Sequence, residues 1–214
     1  VFSAFGRSAD QFITAGLISP EVVAYYNVVS RINNMMDVPS IAVADVLFPK
    51  NVEAMAISGE EKVKYYFERM VGSIISILAP ASLLIFCMPH LFIKLLAGSK
   101  YLAAVPILQT VILFSFLRPF SYQFGATMDA IGKPRINFWV NLLSMCLNYG
   151  CMYIGLRLTG WMGAAYGTVA AAILSFSIMC AVLNKTIGVR LGETFRYVGF
   201  AYGEMAGIIK KSIK

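Results

Sequence analysis

The chain is 214 residues long, 58% hydrophobic and only 14% charged, with a net charge of +7. Its mean hydropathy of +0.71 excludes a soluble globular domain and predicts an all-α polytopic membrane protein, with the bilayer as its solvent. The positive balance needs no nucleic-acid partner, because anionic headgroups on the inner leaflet account for it.

Six apolar stretches, at residues 1–18, 22–48, 65–96, 102–131, 136–158 and 162–183, are the expected spanning helices. Each approaches or exceeds the roughly 20 apolar residues that a span requires. None shows the period-two alternation of a lipid-facing barrel strand. The chain opens on Val1, already inside an apolar stretch, with no signal peptide. Nine residues separate Asp10 from the turn at Ser19-Pro20, about 14 Å of helix. Asp10 is therefore expected near the bilayer midplane, and the chain is expected to be the C-terminal part of a longer protein.

Between the stretches, Ser19-Pro20-Glu21 reads as a tight outer turn, with proline at a helix start where its missing N–H costs nothing. Residues 50–64 read as a polar inner connection, in which Ser58-Gly59-Glu60-Glu61 caps a third span starting near Glu60. Gly98-Ser99-Lys100-Tyr101 and Thr159-Gly160 read as outer turns, and Gly132-Lys133-Pro134-Arg135 as an inner one. The six stretches make one domain, residues 1–184. The remainder, residues 185–214, reads as a basic amphipathic tail lying in the interface, or as the stub of a further linker. Pro39, Pro80, Pro106 and Pro119 fall inside the stretches, where each is expected to bend its helix and free a carbonyl.

The charges set the orientation. Twelve lysines and arginines lie on the side of the 50–64 connection, the 132–135 turn and the tail, whereas only Lys94, Lys100 and Arg157 lie on the other. By the positive-inside rule both ends of the chain face the cytoplasm.

The three remaining basic residues, Arg7, Arg31 and Arg118, fall within spans, together with Asp10, Asp37 and Asp45. An ionisable group near the bilayer centre costs about 3 kcal/mol, so it normally faces a bundle interior or water. Arg7 and Asp10 are one helical turn apart and suited to pair. On the second span Asn27, Arg31, Asn34 and Asp45 share a narrow arc, a polar stripe along most of a helix, while Asp37 lies off Arg31's face. Asn141, Ser144 and Asn148 form a milder stripe on the fifth. The structural reading is ion pairs and amide bonds that fix helix register. The functional reading is an anion site at Arg31, Arg118 and Arg7 with Asn27 and Asn34, and proton or sodium coupling at Asp10, Asp37 and Asp45.

Other chemistry finds little support. Cys87, Cys146, Cys151 and Cys180 lie inside apolar stretches without ligand spacing and read as packing residues. His90 is alone beside Pro89 and reads as a helix-end residue. No paired carboxylates, Ser-His-Asp set or phosphate loop occurs, so no enzyme, cofactor or metal is expected.

Several segments together resemble bacterial polysaccharide-unit flippases, a branch of the multidrug/oligosaccharidyl-lipid/polysaccharide exporter superfamily. They are Asp10, Ile13 and Gly16; Ser19-Pro20-Glu21-Val22-Val23-Ala24-Tyr25-Tyr26 with Arg31; and Val46-Leu47-Phe48-Pro49. Further along stand Gly98-Ser99-Lys100-Tyr101 with Ala103-Ala104-Val105-Pro106-Ile107-Leu108, Asp129-Ala130-Ile131-Gly132-Lys133-Pro134, and Asn148-Tyr149. The last is Gly160-Trp161-Met162-Gly163-Ala164-Ala165-Tyr166-Gly167-Thr168. The resemblance runs over residues 1–183 and implies the C-terminal six-helix lobe of a two-lobed transporter in the bacterial inner membrane. It implies movement of polyprenyl-pyrophosphate-linked oligosaccharide from the inner to the outer leaflet by alternating access. Its partners would be the lipid-linked oligosaccharide, membrane lipids, a missing N-terminal lobe and polysaccharide polymerase machinery.

The multidrug branch, which handles organic cations, is the nearest rival, and three intramembrane arginines argue against it. A lipid II flippase would carry an extra C-terminal pair of spans. A membrane transferase or polymerase would need clustered acids or histidines at the interface, where residues 50–64 offer Glu53, Glu60 and Glu61 beside lysines.

Overall fold

The computed structural model describes residues 19–199 and Tyr202, so Arg7 and Asp10 lie outside the described residues. The described chain is helical throughout, with no strand. Its helices are α1 (Pro20–Ser58), α2 (Glu60–Cys87), α3 (Pro89–Leu96), α4 (Val105–Ile112), α5 (Arg118–Ala130), α6 (Pro134–Thr159) and α7 (Gly163–Ile187). Single 3-10 turns fill Ser99–Ala104, Ser115–Leu117 and Gly160–Met162. A last helix, α8, covers residues 191–199. It is an all-α membrane protein.

Proline placement explains most boundaries. Pro20, Pro89, Pro106, Pro119 and Pro134 stand in the first turn of a helix, where no amide donor is needed. Pro106 and Pro119 therefore begin helices instead of bending one. Two expected spans are broken accordingly. The third stops at Met88, whose φ of −126° and ψ of 49° leave the helical region because a residue before proline is crowded out of it. The fourth is interrupted between Ile112 and Arg118 by the turn at Ser115–Leu117, leaving a bent pair of short helices that cross as one span if they cross together.

The second helix runs on where a polar connection was expected. α1 continues through Lys50 to Ser58, and the connection shrinks to Gly59. Leu47, Asn51 and Ala54 are all buried at i, i+4, i+7, so the polar stretch is an amphipathic helix with one face in a core. By length and composition α2 and the continuous run Pro134–Ile187 are apolar enough to cross a membrane. Gly160, at φ 67°, folds that run into two helices. α6 and α7 are each about 38 Å long at 1.5 Å per residue, enough for a span apiece. α1 does not reach that apolarity, because its own length carries Arg31, Asp37 and Asp45.

The described chain divides into two compact units. One comprises residues 19–36, 82–115 and 141–175. Its centre is the α6–α7 hairpin, in which the Gly155 and Gly163 backbones touch and Gly167 lies against the Cys151 carbonyl. These pairs share one antiparallel register, and a Cβ at any of the three glycines would collide with backbone across the hairpin. In the same unit Ile93, Ile107, Leu108 and Ile112 are completely buried. The Gln109 amide donates to the Phe86 carbonyl at 3.3 Å, satisfying a group near the break at Met88.

The other unit comprises residues 37–81, 116–140 and 176–199 with Tyr202. Its core packs Val63, Phe67 and Val71 of α2, Phe120, Phe124 and Met128 of α5, and Met179 and Leu183 of α7. Phe120 meets Phe176 edge-on, with ring centroids 4.7 Å apart. α8 belongs to this unit. It buries Thr194 and exposes Leu191 and Phe195.

Candidate functional site

Two polar constellations arise from α1, one in each unit. In the first unit a cavity of about 590 Å³ is lined by Ala24, Asn27, Val28, Arg31, Ile32 and Met35 of α1, and across from them by Leu96, Ala97 and Tyr101. The α1 residues recur at three- and four-residue intervals, so they form one helical face. The opposite wall is the end of α3 and the turn after it, where the Gly98 amide donates to the Ile93 and Lys94 carbonyls at 3.1 Å. Tyr101 is held edge-on against Tyr25, centroids 6.3 Å apart. The Tyr26 hydroxyl donates to the Trp161 carbonyl at 2.7 Å, which ties the start of α1 to the α6–α7 turn.

Arg31 is the single charge among these lining residues, and it is exposed to the cavity. Among the described residues it has no acid within ion-pair distance. Chemically the site offers a permanent cation with a planar fork, an amide one turn away and a phenol opposite. That set suits a phosphate or diphosphate with hydroxyl groups beside it. Its volume falls in the range of roughly 300–1,000 Å³ typical of small-molecule sites.

In the second unit Arg118 opens α5 and pairs with Asp37 of α1, Nη2 to Oδ2 at 2.8 Å. The Tyr122 hydroxyl donates to the same Oδ2 at 3.1 Å. Asp37 is only 5% exposed, whereas the Arg118 side chain is 34% exposed. The seam continues along the two helices. The Gln123 amide donates to the Ser40 carbonyl at 2.9 Å, and the Asn51 amide to the Thr127 hydroxyl at 3.1 Å. This is the pattern expected of an acid buried in a membrane bundle: one guanidinium and one hydroxyl share its charge.

The predicted site residues are thus distributed unequally. Asn27 and Arg31 line the cavity together, and Asn34 and Asp45 are exposed on α1 away from its lining. Arg118 and Asp37, read separately as anion and coupling sites, are partners in one ion pair. Tyr101, Tyr122 and Gln123 escaped the sequence reading. Tyr122 stands four residues after Arg118, one helical turn, and that spacing was the available signal. On α6, Ser144 Oγ and Asn148 Oδ1 are buried without a hydrogen-bond partner among the described residues. Among the described residues no group of three or more His, Cys, Asp or Glu is placed to hold a metal.

The chain is, as a class, an all-α membrane protein with an arginine-bearing cavity and a buried ion pair. Residues 1–106 match the family described as polysaccharide biosynthesis protein, in agreement with the chain's resemblance to polysaccharide-unit flippases. It is 24% identical over 151 residues to the lipopolysaccharide biosynthesis protein WzxC of Escherichia coli, covering 71% of this chain and 30% of that protein. It is also 24% identical over 166 residues to an uncharacterised membrane protein of Methanocaldococcus jannaschii, covering 78% and 33% respectively. The chain therefore spans about a third of the length of the curated relatives it matches. No solved structure matches it.

Proposed function

We propose that this chain forms a six-helix lobe of a transporter that carries polyprenyl-pyrophosphate-linked oligosaccharide from the inner to the outer leaflet of the bacterial inner membrane. Both of its ends would face the cytoplasm and a second lobe would close the pathway. The family match and the relative WzxC support a role in polysaccharide biosynthesis. The observation that carries the finer reading is Arg31, a guanidinium lining a cavity and facing no acid among the described residues. The diphosphate of the carrier lipid is the anion that fits it. Asn27 and Tyr101 supply hydrogen bonds to sugar hydroxyls, and the lipid tail stays in hydrocarbon. No bond is made or broken. Arg118 is already neutralised by Asp37, so it would join the substrate only if that pair opened. Asp37 is in turn the acid most suited to take up a proton or sodium ion in a coupled cycle, Asp45 being exposed and Asp10 outside the described residues.

The test is complementation with the full-length protein. Arg31→Ala should abolish surface polysaccharide while the protein remains in the membrane, and Arg31→Lys should retain part of the activity, because charge survives but the fork is lost. Normal surface polysaccharide with the alanine variant would contradict the assignment.

A further inference from the structure

The chain turns back after α7. Asn184 accepts from the Gly188 amide at 3.0 Å through its carbonyl and donates from its side-chain amide to the Val189 carbonyl at 3.0 Å. Gly188, at φ 69°, then turns the chain back. The segment beyond Gly188 keeps step with α2. The Arg190 amide donates to Glu68 Oε1 at 3.0 Å. A Cβ on Gly72 would stand 2.8 Å from the Thr194 carbonyl and 2.7 Å from the Tyr197 Cβ. The Ser76 hydroxyl lies 3.4 Å from the Val198 carbonyl. Positions 68, 72 and 76 of α2 thus meet 190, 194 and 198 in order, so the two segments run side by side in the same direction. α2 starts among Glu60, Glu61, Lys62 and Lys64, and after Arg69 carries no further charge. Ser76 lies seven residues past Arg69, about 10 Å deeper along the helix.

At that depth α2 has a defect that its own sequence cannot mend. Pro80 has no N–H, so the Ser76 carbonyl, four residues earlier, loses its regular helical donor. In hydrocarbon no water replaces it. The Tyr202 hydroxyl donates to this carbonyl at 2.9 Å. Close by, the Ser76 hydroxyl donates to the Gly72 carbonyl at 2.8 Å, and at Gly72 the backbone of α8 approaches too closely to leave room for a Cβ.

We infer that residues 190–199 with Tyr202 re-enter the bilayer alongside α2 and that Tyr202 supplies the hydrogen bond missing at Pro80, so that these residues are part of the membrane bundle. The inference is independent of which substrate is carried. It makes Gly72 a docking residue and Tyr202 a positioning residue.

Two measurements test it on the full-length protein. In a background with the native cysteines replaced, Gly192→Cys should react with a membrane-impermeant maleimide from the cytoplasmic side, and Tyr202→Cys should resist it until detergent is added. Equal labelling of both from the cytoplasm would place the segment flat in the interface and overturn the inference. In a double-mutant cycle, Tyr202→Phe should lower the melting temperature of the purified protein by several degrees. The same change in a Pro80→Ala background should have little effect, because the alanine restores the amide donor that proline lacks. An equal loss in both backgrounds, or none in the native one, would show that Tyr202 does not serve the proline defect.

Discussion

At the scale of single residues, two of the ionisable groups on α1, Arg31 and Asp37, have opposite circumstances. Asp37 is buried and shared between Arg118 and Tyr122. Arg118→Ala would leave a nearly buried carboxylate with one hydroxyl partner. A fully buried orphan charge costs about 3–5 kcal/mol; since Arg118 is a third exposed, about 2 kcal/mol is the appropriate expectation. Asp37→Asn in the same molecule removes the orphan charge, so the double variant should recover much of the thermal stability lost by Arg118→Ala alone. No recovery would mean that the pair is not coupled. Arg31 faces no acid among the described residues, and its removal should spare folding. A charge-assisted hydrogen bond to a ligand contributes about 1.5–3 kcal/mol, so Arg31→Ala should weaken diphosphate binding roughly 10- to 100-fold. The polar stripe that holds Asn27 and Arg31 was legible because helical periodicity acts within one element. The Asp37–Arg118 pair was not, because its members lie more than 80 residues apart on different helices, and no local pattern encodes which helices touch. Tyr101 was missed for the same reason, since it reaches the cavity from the turn after α3.

At the scale of elements, glycines and prolines dominate. The α6–α7 hairpin closes only because Gly155, Gly163 and Gly167 present bare backbone to each other's helix. Gly163→Leu would insert a branched side chain where even a Cβ collides. It should cost at least about 3 kcal/mol, the upper end of ordinary overpacking, and show as loss of folded protein from the membrane. Gly150→Leu, on α6 of the same hairpin with open space around it, is the control and should be tolerated. The run from Gly160 to Thr168 reads in the sequence as a turn and helix, and the structure supplies its reason in this close contact. Hydropathy located the apolar helices, because burial in lipid demands an unbroken apolar run. It passed over the breaks at Met88 and at Ser115–Leu117, since a proline in an apolar run leaves hydropathy unchanged and acts only on backbone geometry. It also read Lys50–Ser58 as loop, where burial of Leu47, Asn51 and Ala54 continues the helix.

At the scale of the whole molecule, charge gives this helical membrane protein an expected orientation. The asymmetry of lysine and arginine predicts that Ser58, at the end of α1, faces the cytoplasm and that Ser99, after α3, faces out. Single cysteines at the two positions should react with an impermeant reagent from opposite sides, and reaction from the same side would refute the topology.

The most direct test of the account is protection of the cavity by its proposed ligand. A cysteine at Asn27, one turn from Arg31, should be alkylated in detergent-solubilised full-length protein. A polyprenyl diphosphate carrying a sugar should slow that alkylation, an uncharged polyprenol should not, and Arg31→Ala should remove the protection. Equal protection by the uncharged lipid, or none by the diphosphate, would contradict an anion site at Arg31.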